Sequence, residues 1–139
     1  MYPEHLTAPM KRDLTDAGFL DLDTPDAVTE LLEQPTGTTL LVVNSVCGCA
    51  AGAARPGAKL ALEKAAIKPE RVATVFAGVD KAATNKAREY MLPYPPSSPS
   101  MALFKDGELV HLIERHHIEG RSAEMIADHL VEVFANYCQ

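Results

Sequence analysis

Val42-Val43-Asn44-Ser45-Val46-Cys47-Gly48-Cys49-Ala50-Ala51 is the stretch that decides the fold. An apolar run of strand type stops at Cys-Gly-Cys, and an alanine-rich helical run begins directly after it. Two thiols separated by one glycine, where a buried strand hands over to a helix, point to redox chemistry. The first backbone N–H groups of a helix have no intrahelical partner and face whatever precedes them. The helix dipole adds partial positive charge at the same place. A thiolate there is favoured over a thiol, so its pKa falls and its reactivity at neutral pH rises.

Working outward, Thr38 to Val46 reads as the first strand. It is apolar on both faces from Leu40 to Val43, as a central parallel strand should be. The small residues from Ala50 to Ala54 permit close packing at the helix start, and Pro56-Gly57 predicts a kink or break further along it. Arg71 to Gly78 reads as a second strand and Asp80 to Met91 as the next helix. Leu92 to Pro99 carries four prolines and reads as a loop. Ser100 to Lys105 and Glu108 to Ile113 form a hairpin about Asp106-Gly107. Arg115 to Gly120 is polar, with His116-His117 as a solvated turn or strand edge. Ser122 caps a last helix whose core stripe is Ile126, Leu130, Val133, Phe134 and Tyr137, with Cys138 at its end.

Ahead of the dithiol, residues 8–17 read as a short helix with Pro9 in its first turn. A second helix opens at Thr24-Pro25. Asp13, Asp16, Glu30 and Glu33 are read as solvated helix faces. The order is two leading helices, then β-α-β-α-β-β-α. It predicts an α/β fold with a mixed sheet of about four strands, in one domain spanning 1–139.

The chain has 139 residues and a formal net charge of -6. No basic patch stands out, which argues against nucleic acid as a partner. No apolar run approaches a membrane span, and the N-terminus has no signal pattern. The expected location is the cytoplasm, away from membranes. Cys47, Cys49 and Cys138 are the three cysteines. An odd count without a signal does not look like a secreted disulfide framework.

The succession of elements, with a dithiol between first strand and helix, resembles the thioredoxin fold. Ser98-Pro99-Ser100-Met101-Ala102-Leu103-Phe104-Lys105-Asp106-Gly107 resembles the thioredoxin stretch in which a cis-proline precedes a strand ending in Phe-Lys-x-Gly. By that match Pro99 is the cis-proline facing the dithiol, and the backbone at Ser98 pairs with an extended substrate. A closer resemblance is to the bacilliredoxin family. It rests on Asn-Ser-Val-Cys-Gly-Cys-Ala-Ala-Gly, Ser-Ser-Pro-Ser-Met-Ala-Leu, Arg115-His116-x-Ile118-Glu119-Gly120 and the cysteine near the C-terminus. The likeness runs from Pro9-Met10-Lys11-Arg12 to Cys138.

The resemblance implies a thiol–disulfide oxidoreductase that removes bacillithiol from mixed disulfides on cytoplasmic proteins, or a disulfide isomerase. It implies Cys47 as the attacking thiol and Cys49 as the resolving one, unless another low-molecular-weight thiol resolves Cys47 directly. Gly48, Ser98 and Pro99 would lie against the substrate. Bacillithiol would be a substrate, and no cofactor would be tightly bound.

The residues leave two rivals. One is a zinc protein using Cys47, Cys49, Cys138 and a histidine such as His116. The other is a partner-binding module without turnover. Thioredoxins also carry a buried acid on the strand before the dithiol, and Thr38 to Val46 has none. Proton handling then rests on the helix terminus, on solvent, or on a residue such as Arg55.

A Cys-x-Cys ring is one residue smaller than a Cys-x-x-Cys ring, and disulfide geometry has narrow preferred ranges. The smaller ring is therefore easier to reduce, and Gly48 supplies the backbone freedom to close it. The Cys47/Cys49 couple should equilibrate with a glutathione redox buffer at a potential well above the roughly -270 mV of thioredoxin.

Overall fold

The computed structural model describes residues 2–139. Its elements are α1 (Glu4–Thr15), β1 (Leu20–Asp21), α2 (Pro25–Leu32), β2 (Thr38–Asn44), a π-helical turn (Ala50–Ala54), α3 (Arg55–Lys64), β3 (Arg71–Phe76), α4 (Lys81–Glu89), β4 (Ser100–Lys105), β5 (Glu108–Ile113), α5 (Arg115–Ile118) and α6 (Ala123–Tyr137). Among the described residues no helix is long and apolar enough to cross a membrane.

β2 is buried at every position, and that burial organises the layers. Side chains alternate across a strand, so a run without polar interruption must be covered on both faces. Leu40 and Val42 enter one core with Leu14 of α1, Ala58 and Ala61 of α3, and Ile126, Leu130 and Phe134 of α6. Leu41 and Val43 enter the other, with Val28 and Leu32 of α2 and Ala83 and Ala87 of α4. β4 repeats the division: Met101 and Leu103 face the first core, Ala102 and Phe104 the second.

The sheet order is β1-β3-β2-β4-β5. β1 and β2 run parallel to β3, and β4 and β5 complete the sheet antiparallel. Five strands therefore stand where about four were expected. The additional one, β1, is only two residues long, pairing Leu20 with Ala73 and Asp21 with Thr74. Two exposed residues give no alternation to read, so β1 is defined by its partner alone.

Three local departures have physical reasons. α1 begins at Glu4, and Pro9 lies inside it rather than in its first turn. Pro9 and His5 are both exposed, so the carbonyl deprived of its helical donor meets water. The break expected at Pro56-Gly57 lies one turn upstream. The wide turn Ala50–Ala54 ends with the Arg55 N–H on the Ala50 carbonyl, and Pro56, which has no N–H to give, follows directly. Finally, Arg115–Ile118 is a short helix, not a turn. Glu114 and His117 cap it reciprocally, and both histidines remain exposed.

α3 and α6 come close together at Gly57. A Cβ placed there would meet Ile126 Cγ2 at 2.7 Å, Ile126 Cβ at 2.8 Å and the Ala123 carbonyl oxygen at 3.1 Å. Two of these atoms belong to a branch point and to backbone, which yield little. Gly57→Ala should destabilise the protein by about 1–3 kcal/mol in urea unfolding, despite the gain in helix propensity.

Candidate active site

The end of β2 and the helix after it bring the two thiols together. Asn44 ends the strand. The Ala50 and Ala51 N–H groups both donate to the Cys47 carbonyl, at 3.1 and 3.3 Å, so Cys47 stands at the mouth of the first helical turn. Its sulfur lies 2.8 Å from that of Cys49. Both cysteines are half-buried, and Gly48 between them is exposed with open space where a side chain would go. In this geometry Gly48 leaves the approach to the dithiol uncovered.

The two thiols differ electrically. Partial burial alone would push the Cys47 thiol up. Hydrogen bonds from the Cys49 thiol, the Ser45 hydroxyl and the backbone N–H groups of Ala50 and Cys49 outweigh it and hold Cys47 below the usual thiol range. Cys49 moves the opposite way. Burial and the facing Cys47 sulfur raise it, against a partial offset from the positive charge of Arg115. Of the two thiols, Cys47 is therefore the one that ionises first.

Ser45 is central to this asymmetry, because its Oγ also accepts the Cys47 N–H at 3.2 Å. Ser45 is fixed in turn by a buried arginine. Arg55 is only 5% exposed. Its Nη1 donates to the Ser45 carbonyl at 2.9 Å and to Asn44 Oδ1 at 3.0 Å, and its Nε donates to Asp13 Oδ2 at 3.2 Å. Asn44 Oδ1 also accepts the Ser45 N–H at 2.8 Å, while its Nδ2 donates to the Met10 carbonyl of α1. A buried cation needs a nearby anion, and Asp13 serves. Its own burial works against ionisation, but Lys59 and Arg55 hold it below the usual carboxylate range.

The opposite wall comes from the proline-rich loop. The Ser98–Pro99 bond is cis, as the resemblance implied, and so is Leu92–Pro93. Val43 pairs with Ser100, so Ser98-Pro99 lies at the sheet end from which the dithiol emerges. Pro99 is buried and Ser98 half-buried. Arg115 Nη1 donates to the Ser98 carbonyl at 3.0 Å.

Cys138 lies elsewhere, beside Thr38 and Lys105 at the other end of β2, and burial raises its thiol. β2 has seven residues, which at about 3.3 Å each separates Cys138 from the dithiol by roughly 20 Å. The set Cys47, Cys49, Cys138 and His116 cannot close on one zinc ion. Ligand atoms of Glu114, His116 and His117 do lie within 4.8 Å of one another. His117 Nδ1, however, already accepts the Glu114 N–H at 3.1 Å, which leaves its proton on Nε2.

Reading the sequence raised Arg55 as one of three ways to tune Cys47, and the structure places it one residue removed from the sulfur. Ser45, Asn44 and Arg115 are site-lining residues that the sequence does not single out, and Asp13, read there as a solvated helix face, is half-buried against Arg55 and Lys59. The only local signal was a polar Asn-Ser pair ending an apolar strand, which marks a strand end that needs hydrogen-bond partners.

The fold and the dithiol together define a thioredoxin-fold thiol–disulfide oxidoreductase. Among solved structures, a mutant thioredoxin from Halobacterium salinarum superposes with a TM-score of 0.62, at 17% identity, over 88% of this chain and 93% of that one. A family model described as "Disulphide isomerase" matches residues 2–138. A protein of Cytophaga hutchinsonii named bacilliredoxin is 63% identical over 134 residues, covering 96% of this chain and 98% of that protein. A Bacillus cereus bacilliredoxin is 53% identical over 137 residues, 99% of this chain and 95% of its own length. The chain belongs to the bacilliredoxin family.

Ser45→Ala removes a hydrogen bond that favours the Cys47 thiolate. The pH midpoint for alkylation of Cys47 should rise by about one unit, and peptide mapping of the alkylated product reads it directly.

Proposed function

We propose that this protein strips a low-molecular-weight thiol, bacillithiol by preference, from mixed disulfides on cytoplasmic proteins. The observation that carries this reading is the unequal pair: a half-buried Cys47 thiol beside the exposed Gly48, held below the usual thiol range, with the Cys49 thiol, raised above it, 2.8 Å away. Such a pair suits two successive exchanges. The Cys47 thiolate attacks the outer sulfur of the mixed disulfide. A new Cys47–sulfur bond forms, the old disulfide breaks, and the protein thiolate leaves and takes a proton. Cys49 then loses its proton and attacks Cys47 Sγ. The Cys47–Cys49 bond forms and the small thiol departs. The target is reduced and the dithiol is oxidised by the same two electrons, so no bound cofactor is required. Two equivalents of external thiol then return the enzyme to its starting state: the first opens the Cys47–Cys49 bond as a mixed disulfide, and the second displaces it and leaves as the thiols' own disulfide.

Bacillithiol as the thiol is supported by the name the relatives carry. Gly48, Ser98 and Pro99 are the substrate-facing positions in this reading. Gly48 admits the incoming disulfide, and the Ser98 backbone beside the cis-proline runs alongside an extended target segment. The family description favours a second reading, disulfide isomerisation. In that case Cys47 attacks a protein disulfide, and a different thiol of the same protein displaces it.

A kinetic comparison of bacillithiol and glutathione mixed disulfides on one model protein tests the proposal. Bacillithiol should be removed faster. Cys47→Ala should abolish removal, and Cys49→Ala should accumulate the small thiol on Cys47, visible by intact mass. Equal rates for both thiols would overturn the preference. An adduct on Cys49 instead would reverse the assigned order.

A further inference from the structure

The second exchange raises a problem that the first does not. In the free dithiol Cys49 keeps its proton because burial and the facing Cys47 sulfur disfavour its charge. It must nonetheless become the attacking thiolate once Cys47 is occupied. Capping Cys47 as a mixed disulfide removes the negative charge opposite Cys49, since a disulfide sulfur carries none. What then acts on Cys49 is its burial, opposed by the positive charge of Arg115 and by its own backbone N–H.

Arg115 is held in place to be that charge. It opens α5, and its backbone N–H donates to Ser97 Oγ at 3.4 Å. Its Nη1 donates to the Ser98 carbonyl at 3.0 Å, and its Nε lies 3.5 Å from Glu119 Oε1. One side chain thus spans from the cis-proline loop to the α5 carboxylate, at the sheet end from which the dithiol emerges, and its charge opposes the rise of the Cys49 thiol. An arginine keeps its charge at every physiological pH, so its influence on the site is constant while that of Cys47 is switched by the reaction.

We infer that Arg115 is a positioning residue for the second exchange: clamped to the Ser98 carbonyl, it favours the attacking thiolate on Cys49 once Cys47 is occupied. The order of events is then built into the site. Cys47 reacts first because its thiolate is supported by Ser45 and the helix amides. Cys49 becomes competent only when the first reaction has removed its opponent. The step itself is the one already balanced: Cys49 gives its proton to solvent, the Cys47–Cys49 bond forms, and the small thiolate leaves and is protonated. This inference rests on the dithiol relay proposed above.

The test uses the full chain carrying Cys138→Ser, so that only the dithiol reports. The reduced protein is mixed with no more than one equivalent of 4,4'-dithiodipyridine, an uncharged disulfide, so that a second thiopyridone per reagent molecule arises only by resolution, and its release is followed by stopped flow. The wild-type dithiol should release two equivalents in sequence, the first from attack by Cys47 and the second from resolution by Cys49. Arg115→Gln should slow the second release about tenfold, with far less effect on the first, and move its pH midpoint up by about one unit. Arg115→Lys should recover most of the rate. Equal slowing of both releases, with no change in the pH midpoint, would reduce Arg115 to a structural support and overturn the inference, as would an unaltered second release. A wild type that releases one equivalent and no second sinks the relay itself, a result distinguishable from failure of Arg115 alone.

Discussion

The structure depends on how a strand buried on both faces is allowed to end. β2 has no solvent side, so where it stops its backbone must find partners inside the protein. The Arg55 guanidinium supplies them, taking the Ser45 carbonyl and the Asn44 side chain together, with Asp13 balancing its charge. Burying an unpaired arginine is prohibitively unfavourable. The arrangement is stable only when α1, β2 and α3 are all in place. The strand end, and with it the site, is therefore a joint product of three elements.

That construction explains how the site manages without an acid beneath the dithiol. The lowering of Cys47 comes from short-range donors, namely a hydroxyl, two amides and a neighbouring thiol. Donors of this kind need accurate placement and little net charge. The strongest charges in the network, Arg55 and Asp13, are spent on each other and on backbone. They act on Cys47 through the position they impose on Ser45.

Much of the fold was legible because its largest elements carry strong periodic signals. The two-faced run in β2, the Thr24 and Ser122 caps and the hairpin at Asp106-Gly107 all lie where local chemistry put them. The meeting of the Cys47 and Cys49 sulfurs and the cis bond before Pro99 were legible from motif and resemblance. What escaped was set by tertiary contact. β1 exists only because β3 offers an edge. The π-helical turn is the local exception, set by the N–H that Pro56 lacks and displaced one turn upstream of it. Asp13 looks like any acid on a helix face until Arg55 and Lys59, more than forty positions later, arrive beside it. Arg115 belongs to a polar stretch whose partners, Ser97 and Ser98, lie across the hairpin.

Cys138 shows what distance accomplishes in a protein of three thiols. Lodged beside Thr38 with its proton held tightly, it can neither intercept an adduct on Cys47 nor compete for the bridge. Within one molecule, oxidation has a single product to choose, and the bookkeeping of sulfur at the opposite rim stays free of scrambled loops. A lone thiol so placed also gives chemists a separate handle, addressable after the reactive pair has been closed.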